Sequence, residues 1–130
     1  MVRKILAVIA GLITFYVVVS GVQMLNGIIF GAPPPETMTD PAAMSAYVAG
    51  LPTAAFIVLL LGYVLGSFVA GFVMRKISHW DSLVLPLIVG VLGTVGWIAN
   101  LAMVPHPIWV AVVGFFCYIP FAILGHRAAK

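Results

Sequence analysis

Long runs of apolar residues alternate with short polar stretches along this chain. Four such runs occupy 5–30, 53–74, 83–104 and 107–125, and none contains Asp, Glu, Lys or Arg. Each is close to or above the roughly 20 residues that an α-helix needs to cross about 30 Å of hydrocarbon. Open strands would leave backbone groups unpaired in lipid, and the alternating pattern of a membrane barrel is absent. The pattern therefore predicts an all-α membrane protein, a bundle of four transmembrane helices forming a single domain over 1–130.

The stretch between the first two runs predicts a further, short helix. Pro33 to Pro35 break the first helix, and Asp40 can cap a new one with Pro41 at its first position. Within that helix one apolar face recurs at helical spacing: Met44, Tyr47, Val48 and Leu51. We expect this short interfacial helix to lie flat on the membrane surface in the first outer loop. A helix that binds a partner protein is the alternative.

Prolines also mark the last two runs. Pro105 ends the third helix, and Pro107 begins the fourth at its favoured first position. His106 between them is expected at the tip of a helical hairpin, with Trp109 anchored in the outer interface. Pro120 lies inside the fourth run and should kink that helix, because proline frees a carbonyl one turn earlier.

The composition excludes an ordinary soluble domain. Of the 130 residues 64% are hydrophobic and 7% are charged, whereas soluble domains carry about 25% charged residues. Six basic residues are too few for a nucleic-acid-binding surface, so we expect membrane lipids and no nucleic acid among the partners. The single cysteine, Cys117, excludes an intrachain disulfide and a cysteine-based zinc site.

The basic residues are distributed unevenly along the chain. With four crossings, the start of the chain, the 75–82 loop and the end of the chain share one side. All Lys and Arg residues belong to these segments: Arg3, Lys4, Arg75, Lys76, Arg127 and Lys130. The positive-inside rule then predicts a multi-pass protein of the bacterial cytoplasmic (inner) membrane with both termini cytoplasmic. The first run is longer than the apolar segment of a signal peptide, so we expect a retained helix.

Small residues form strips on the second and third predicted helices. They recur at spacings that place them on shared faces: Gly62, Gly66 and Ala70, then Gly90, Gly93 and Gly96. Lipid supplies no hydrophobic drive between helices, so close backbone approach at small residues must hold them together. The strips predict helix packing, either inside one chain or between copies in a homo-oligomer.

Three amide side chains lie in the outer halves of the first and third helices: Gln23, Asn26 and Asn100. Buried amides cost free energy unless they are hydrogen-bonded. They predict either hydrogen bonds across the bundle or a polar vestibule that binds a small molecule or a lipid headgroup.

Few side chains suit catalysis or metal binding, and we predict no enzyme, no catalytic residue, no metal and no cofactor. The less favoured alternatives are a hydrolase triad, a bis-histidine haem site and a copper site. Their residues are, in that order, Ser45, Asp40 and His106; His79 and His126; and Met103 and His106 with Met38 or Met44.

Known families of small four-helix membrane proteins provide a comparison. The segment GSFVAG (66–71) resembles fluoride channels, but Tyr63 and Val64 stand where that family places an asparagine. Small multidrug transporters use a carboxylate in the first helix, which this chain lacks. The basic start, "AYVAGLP" and "NLAMVPHPIW" together resemble a family of small uncharacterised bacterial inner-membrane proteins. That resemblance implies the topology and no activity.

The sequence thus predicts a non-enzymatic integral inner-membrane protein. It would act through helix packing, as a homo-oligomer or as a small subunit of a membrane complex. The alternative is a small transporter or channel with an outer polar vestibule.

Overall fold

The computed structural model describes residues 1–104 and 106–129, and that part of the chain is helical and contains no strand. The helices are α1 (Val2–Phe30), α2 (Pro41–Ala49), α3 (Thr53–Ser78), α4 (Val84–Met103), α5 (Ile108–Phe115) and α6 (Ile119–Ala128), with a 3₁₀ turn at Pro35–Met38. The prediction of four helical segments long and apolar enough to cross a membrane is confirmed: α1, α3, α4, and α5 with α6.

Helix α3 is the centre of the bundle. It has the most buried residues, whereas α1 buries only Ala7 and Gly11. Helix α1 packs along one side of α3 and α6 packs along the other, while α4 lies mainly against α6. The side of α1 that faces away from the other helices carries a row of exposed apolar side chains, which includes Ile9, Ile13 and Val17. Such a row is stable where lipid rather than water surrounds it.

The fourth predicted run is not one helix. It is divided at 116–118, where Phe116 N and Cys117 N bond back to Val113 O and Gly114 O. Pro120 follows directly, and its ring nitrogen has no hydrogen to bond to the Phe116 carbonyl. The predicted kink is therefore a full break between α5 and α6. The other helices begin or end within a few residues of the predicted limits.

Small residues mediate close contacts within the chain. A Cβ at Gly62 would lie 2.9 Å from Val22 Cγ1, and one at Gly66 would lie 3.0 Å from Val19 Cγ2. Ala70, on the same strip, is fully buried. Both glycines of this strip therefore pack against α1.

The strip on α4 is only partly used inside the chain. A Cβ at Gly90 would lie 2.8 Å from Ile119 Cα, and one at Gly93 would lie 2.6 Å from Tyr118 Cδ1. At Gly96 nothing lies within 4 Å of that position. The α4 strip therefore meets the start of α6 through two of its three glycines.

The tightest approach joins α3 to α6 at two other glycines. A Cβ at Gly71 would overlap the carbonyl oxygen of Ala122, and one at Gly125 would overlap that of Phe68. These two helices approach so closely that only glycine fits at either position. This reciprocal contact holds α6 against the central helix.

The two ends of the bundle differ in chemistry. At one end, which we call the basic end, Lys4 Nζ lies 3.5 Å from the centre of the Trp80 ring. Arg75 and Asp81 form an ion pair at 2.8 Å there, and His126 Nε2 lies 3.1 Å from Trp80 O. The start of α1, the loop after α3 and the end of α6 thus meet at one end. Lys130 lies outside the described residues.

Candidate functional site

The opposite end of the bundle contains an open cavity of about 280 Å³, which we call the polar cavity. Helices α1, α2, α3 and α4 and the segment after α4 surround it. It is lined by Gln23, Asn26, Gly27, Pro33, Met44, Tyr47, Val48, Leu51, Ala55, Phe56, Leu59, Tyr63, Asn100, Val104 and His106. All three amides predicted as a polar vestibule therefore line the same cavity.

Helix α2 forms one wall of the polar cavity. Asp40 Oδ1 accepts a hydrogen bond of 3.0 Å from Ala42 N, and Pro41 occupies the first turn. This is the N-terminal cap that the sequence predicts. Tyr47 Oη donates to Gly31 O at 2.8 Å, which ties α2 to the end of α1. Val48 is buried, so the apolar face of α2 packs against the bundle.

Asn26 makes more side-chain hydrogen bonds than any other residue that lines the polar cavity. Its Nδ2 donates to Gln23 Oε1 at 3.2 Å and to Ala55 O at 3.1 Å, which joins α1 to α3. Its Oδ1 is buried and has no hydrogen-bond partner among the described residues. A buried acceptor without a partner costs about 1–3 kcal/mol, so this oxygen would gain from a ligand that donates a hydrogen bond.

His106 lies on the cavity wall as well as in the turn. Its Nδ1 is 2.9 Å from Val104 O, and since a carbonyl only accepts, the proton sits on Nδ1. The ring packs 5.1 Å from the Trp97 ring and 6.3 Å from the Phe56 ring, centre to centre. Burial lowers the pKa of His106, and the hydrogen bond to Val104 raises it less. The imidazole is therefore neutral at pH 7. Pro105, predicted to end the third helix, lies outside the described residues.

Aromatic side chains pack together below the polar cavity, beside a further cavity of about 250 Å³ that Tyr63, Trp97 and Tyr118 help to line. The Tyr63 ring lies 5.4 Å from the Trp97 ring and 5.4 Å from the Tyr118 ring. Trp97 is buried, and its Nε1 donates to Ala111 O at 3.1 Å, which fixes α4 against α5. A second apolar cluster, around Ala7, lies closer to the basic end.

The charges around the cavity are acidic or absent. Glu36 and Asp40 are exposed at this end, and the Lys and Arg residues that the structure describes belong to the segments of the basic end. Within residues 1–104 and 106–129, no three His, Cys, Asp or Glu side chains are grouped as a metal site would require. The site thus offers hydrogen bonds and aromatic surface, and no described Lys or Arg that would pair with an anionic group.

The residues of the less favoured catalytic and metal sites have other roles. Asp40 caps α2 and His106 Nδ1 bonds to the Val104 carbonyl, while Ser45 and His106 line one cavity of about 340 Å³. His79 is an exposed helix cap with φ 54°, and the Nε2 of His126 faces Trp80 O.

The copper set is also divided. Met38 and Met103 are largely exposed, whereas Met44 and His106 line the polar cavity.

Several residues of the site were not predicted from the sequence as functional. Phe56 and Tyr63 lie seven residues apart on one face of α3, a spacing that marks a shared helix face. Trp97 stands three residues before Asn100, so it lies on a neighbouring part of α4. The signal in the sequence that could have found such residues is an aromatic side chain about one helical turn from an amide, as Trp97 is from Asn100.

Comparisons of the chain with protein-family models, with curated proteins and with solved structures gave no match. The resemblance to a family of small inner-membrane proteins thus stays a prediction. The four apolar helices are compatible with an integral membrane protein.

Proposed function

We propose that this protein is an integral membrane protein that binds a small uncharged ligand in its polar cavity, without catalysis. The observation that carries the proposal is the buried Oδ1 of Asn26, an acceptor without a partner among the described residues. Asn26 lines a cavity whose volume is near the lower limit of small-molecule sites, about 300 Å³, and because its Oδ1 is covered, a ligand would reach this oxygen through rotation of the amide. A ligand with a hydroxyl or N–H group would satisfy this acceptor.

The packing inside the chain favours ligand binding over self-association as the main function. Gly62 and Gly66 are in contact with α1, and Gly90 and Gly93 with the start of α6. These surfaces are therefore occupied within one chain. Action as a homo-oligomer or as a subunit of a membrane complex stays a prediction, for which Gly96 and the exposed side of α1 are the remaining surfaces.

The same structure favours binding over ion conduction. Below the cavity, Tyr63, Trp97 and Tyr118 pack ring against ring across the bundle. An ion that moved toward the basic end would have to leave Gln23 and Asn26 for surroundings that are mainly aromatic and aliphatic. Since an unpaired ion in such surroundings is costly, the cavity suits a resident ligand.

The proposed setting is the bacterial cytoplasmic membrane, with the basic end in the cytoplasm. The positive-inside rule supports this orientation, because the described Lys and Arg residues belong to the segments of that end. The polar cavity would then open on the outer side. Helix α2 would lie at the outer interface, with its apolar face covered by the bundle.

The experiment is mass spectrometry of small molecules retained by protein purified in lipid nanodiscs. Asn26→Leu removes the acceptor and keeps the number of side-chain heavy atoms, and Thr14→Val is a control on the same helix, where Thr14 bonds to Ala10 O. We expect a molecule that the wild type and Thr14→Val retain and Asn26→Leu loses. Identical retained molecules in all three proteins, or none beyond bulk lipid, would contradict the proposal.

A further inference from the structure

A second, apolar groove runs along the seam between α3 and α5. It has a volume of about 500 Å³, and its walls include Leu61 and Val64 of α3 and Val112 and Val113 of α5. We call it the apolar groove. Its origin is the break before Pro120: α6 is held against α3 by glycine contacts, whereas α5 touches α3 sparsely. The break thus leaves space beside α3 that a continuous, closely packed helix would fill.

The apolar groove and the polar cavity both adjoin a third cavity. This third cavity has a volume of about 340 Å³, and it has Phe56 and His106 in common with the polar cavity and Trp109 in common with the apolar groove. The Phe56 ring lies 6.3 Å from His106 and 6.4 Å from Trp109, centre to centre. The contact between Phe56 and Trp109, which we call the aromatic neck, therefore lies between the polar cavity and the apolar groove.

The chemistry of the polar cavity and of the apolar groove identifies what the two would hold. The polar cavity has an unpartnered acceptor on Asn26 and no described Lys or Arg nearby, so it favours an uncharged hydrogen-bond donor over a phosphate or carboxylate. The groove is lined by aliphatic and aromatic side chains and extends over residues 109–121 of the chain. Its wall on the continuous helix α3 covers residues 57–64, which at about 1.5 Å per residue is about 10 Å.

We propose that the ligand is a single-chain amphiphile, whose uncharged hydroxyl- or amide-bearing head lies in the polar cavity and whose hydrocarbon tail lies in the apolar groove. This inference rests on the proposed function and adds the substrate class. The head supplies the donor for Asn26 Oδ1, and the tail passes Phe56 and Trp109 at the neck. Burial of the tail in the groove places it against side chains that are themselves apolar.

The test is photo-crosslinking in phosphatidylcholine nanodiscs. The probe is monooleoylglycerol with a diazirine in its acyl chain, which has two hydroxyl donors and one tail. Two control probes carry the same diazirine and are used at the same mole fraction. Oleoyl lysophosphatidylglycerol tests whether an anionic head is accepted, and phosphatidylcholine measures labelling by bulk lipid. We expect monooleoylglycerol to label 57–64 and 109–117 about fivefold more than either, the value of about one hydrogen bond.

Substitutions distinguish the contribution of the apolar groove from that of the polar cavity. Val113→Phe and Leu61→Phe each fill the groove from a different wall, and Val95→Phe is a matched control on the exposed side of α4. The groove variants should abolish the preferential labelling, and Val95→Phe should keep it. Asn26→Leu should reduce it about fivefold.

Two results would overturn the inference. One is equal labelling of the groove by all three probes. The other is labelling that Asn26→Leu reduces but neither groove variant changes. In the second case the ligand still depends on the polar cavity, so the proposed function would stand while the tail site would be refuted. Retention of no ligand in the mass-spectrometric experiment would instead refute the proposed function itself.

Discussion

Lys4 and Trp80 are joined by a cation–π contact, with the ammonium nitrogen 3.5 Å from the centre of the indole ring. The two residues are far apart in the chain, at the start of α1 and in the loop after α3. The Trp80 carbonyl also lies 3.1 Å from His126 Nε2 on α6. Trp80 therefore connects its own loop to α1 through its ring and to α6 through its backbone carbonyl.

We predict that Lys4→Gln lowers the free energy of unfolding by about 0.5–2 kcal/mol, the range of cation–π contacts. Arg3→Gln is the control, because Arg3 is an exposed neighbour with the same charge. Unfolding in mixed micelles, followed by circular dichroism, measures both. If the two variants lose the same stability, loss of net charge rather than the ring contact is responsible. Trp80→Leu combined with Lys4→Gln should be less than additive.

We predict that both ends of the chain face the cytoplasm and that 36–45 faces the opposite side. The reason is that the described basic residues belong to the segments of one end of the bundle. Paired reporter fusions, one active only in the cytoplasm and one only outside, measure this at the C-terminus and within 36–45. An outside signal from the C-terminal fusion would contradict the orientation and would move the polar cavity to the cytoplasmic side.

Gly71→Ala and Gly125→Ala should each destabilise the fold by about 1–3 kcal/mol, as in other overpacked sites. In both, the added methyl group would overlap a backbone carbonyl of the facing helix. Gly21→Ala and Gly96→Ala are the matched controls, since nothing lies within 4 Å of their Cβ positions. They should be neutral or gain up to about 1 kcal/mol from helix propensity.

Thermal unfolding in detergent measures these four variants. A similar melting temperature for all four would mean that α3 and α6 do not approach as closely as described. Gly31 is unsuitable as a control, because its φ of 94° strains any other side chain.

The stability of the fold should fall as the pH is lowered toward about 5, in part because of His106. Burial lowers the pKa of His106 below its ordinary value of about 6.5. The unfolded chain therefore binds more protons than the folded chain below that value, so stability rises with pH and is lost on acidification. His106→Asn should reduce this pH dependence. An unchanged pH dependence in His106→Asn would contradict burial of the imidazole.

The sequence by itself determined where the helices are. In lipid each helix must satisfy its own backbone hydrogen bonds, so an uncharged apolar run of sufficient length is enough to predict one. The cap formed by Asp40 and a kink near Pro120 were also predictable, because both depend on hydrogen bonds between residues close in the chain. That the kink is a full break was not predicted. The outer-half positions of Gln23, Asn26 and Asn100 followed from the same helix limits.

Only the tertiary structure decided which side of each helix faces a neighbour. In a water-soluble protein the buried side of a helix can be recognised because the opposite side carries polar residues. Here both sides of each helix are apolar, so the sequence pattern does not indicate which side is buried. Gly93 contacts Tyr118 whereas Gly96, three residues later, contacts nothing, and no local rule separates them. The same holds for the meeting of Asn26 with Ala55, and of His106 with Phe56 and Trp97. Their proximity depends on how α1, α3 and α4 are rotated about their axes, which packing between helices sets.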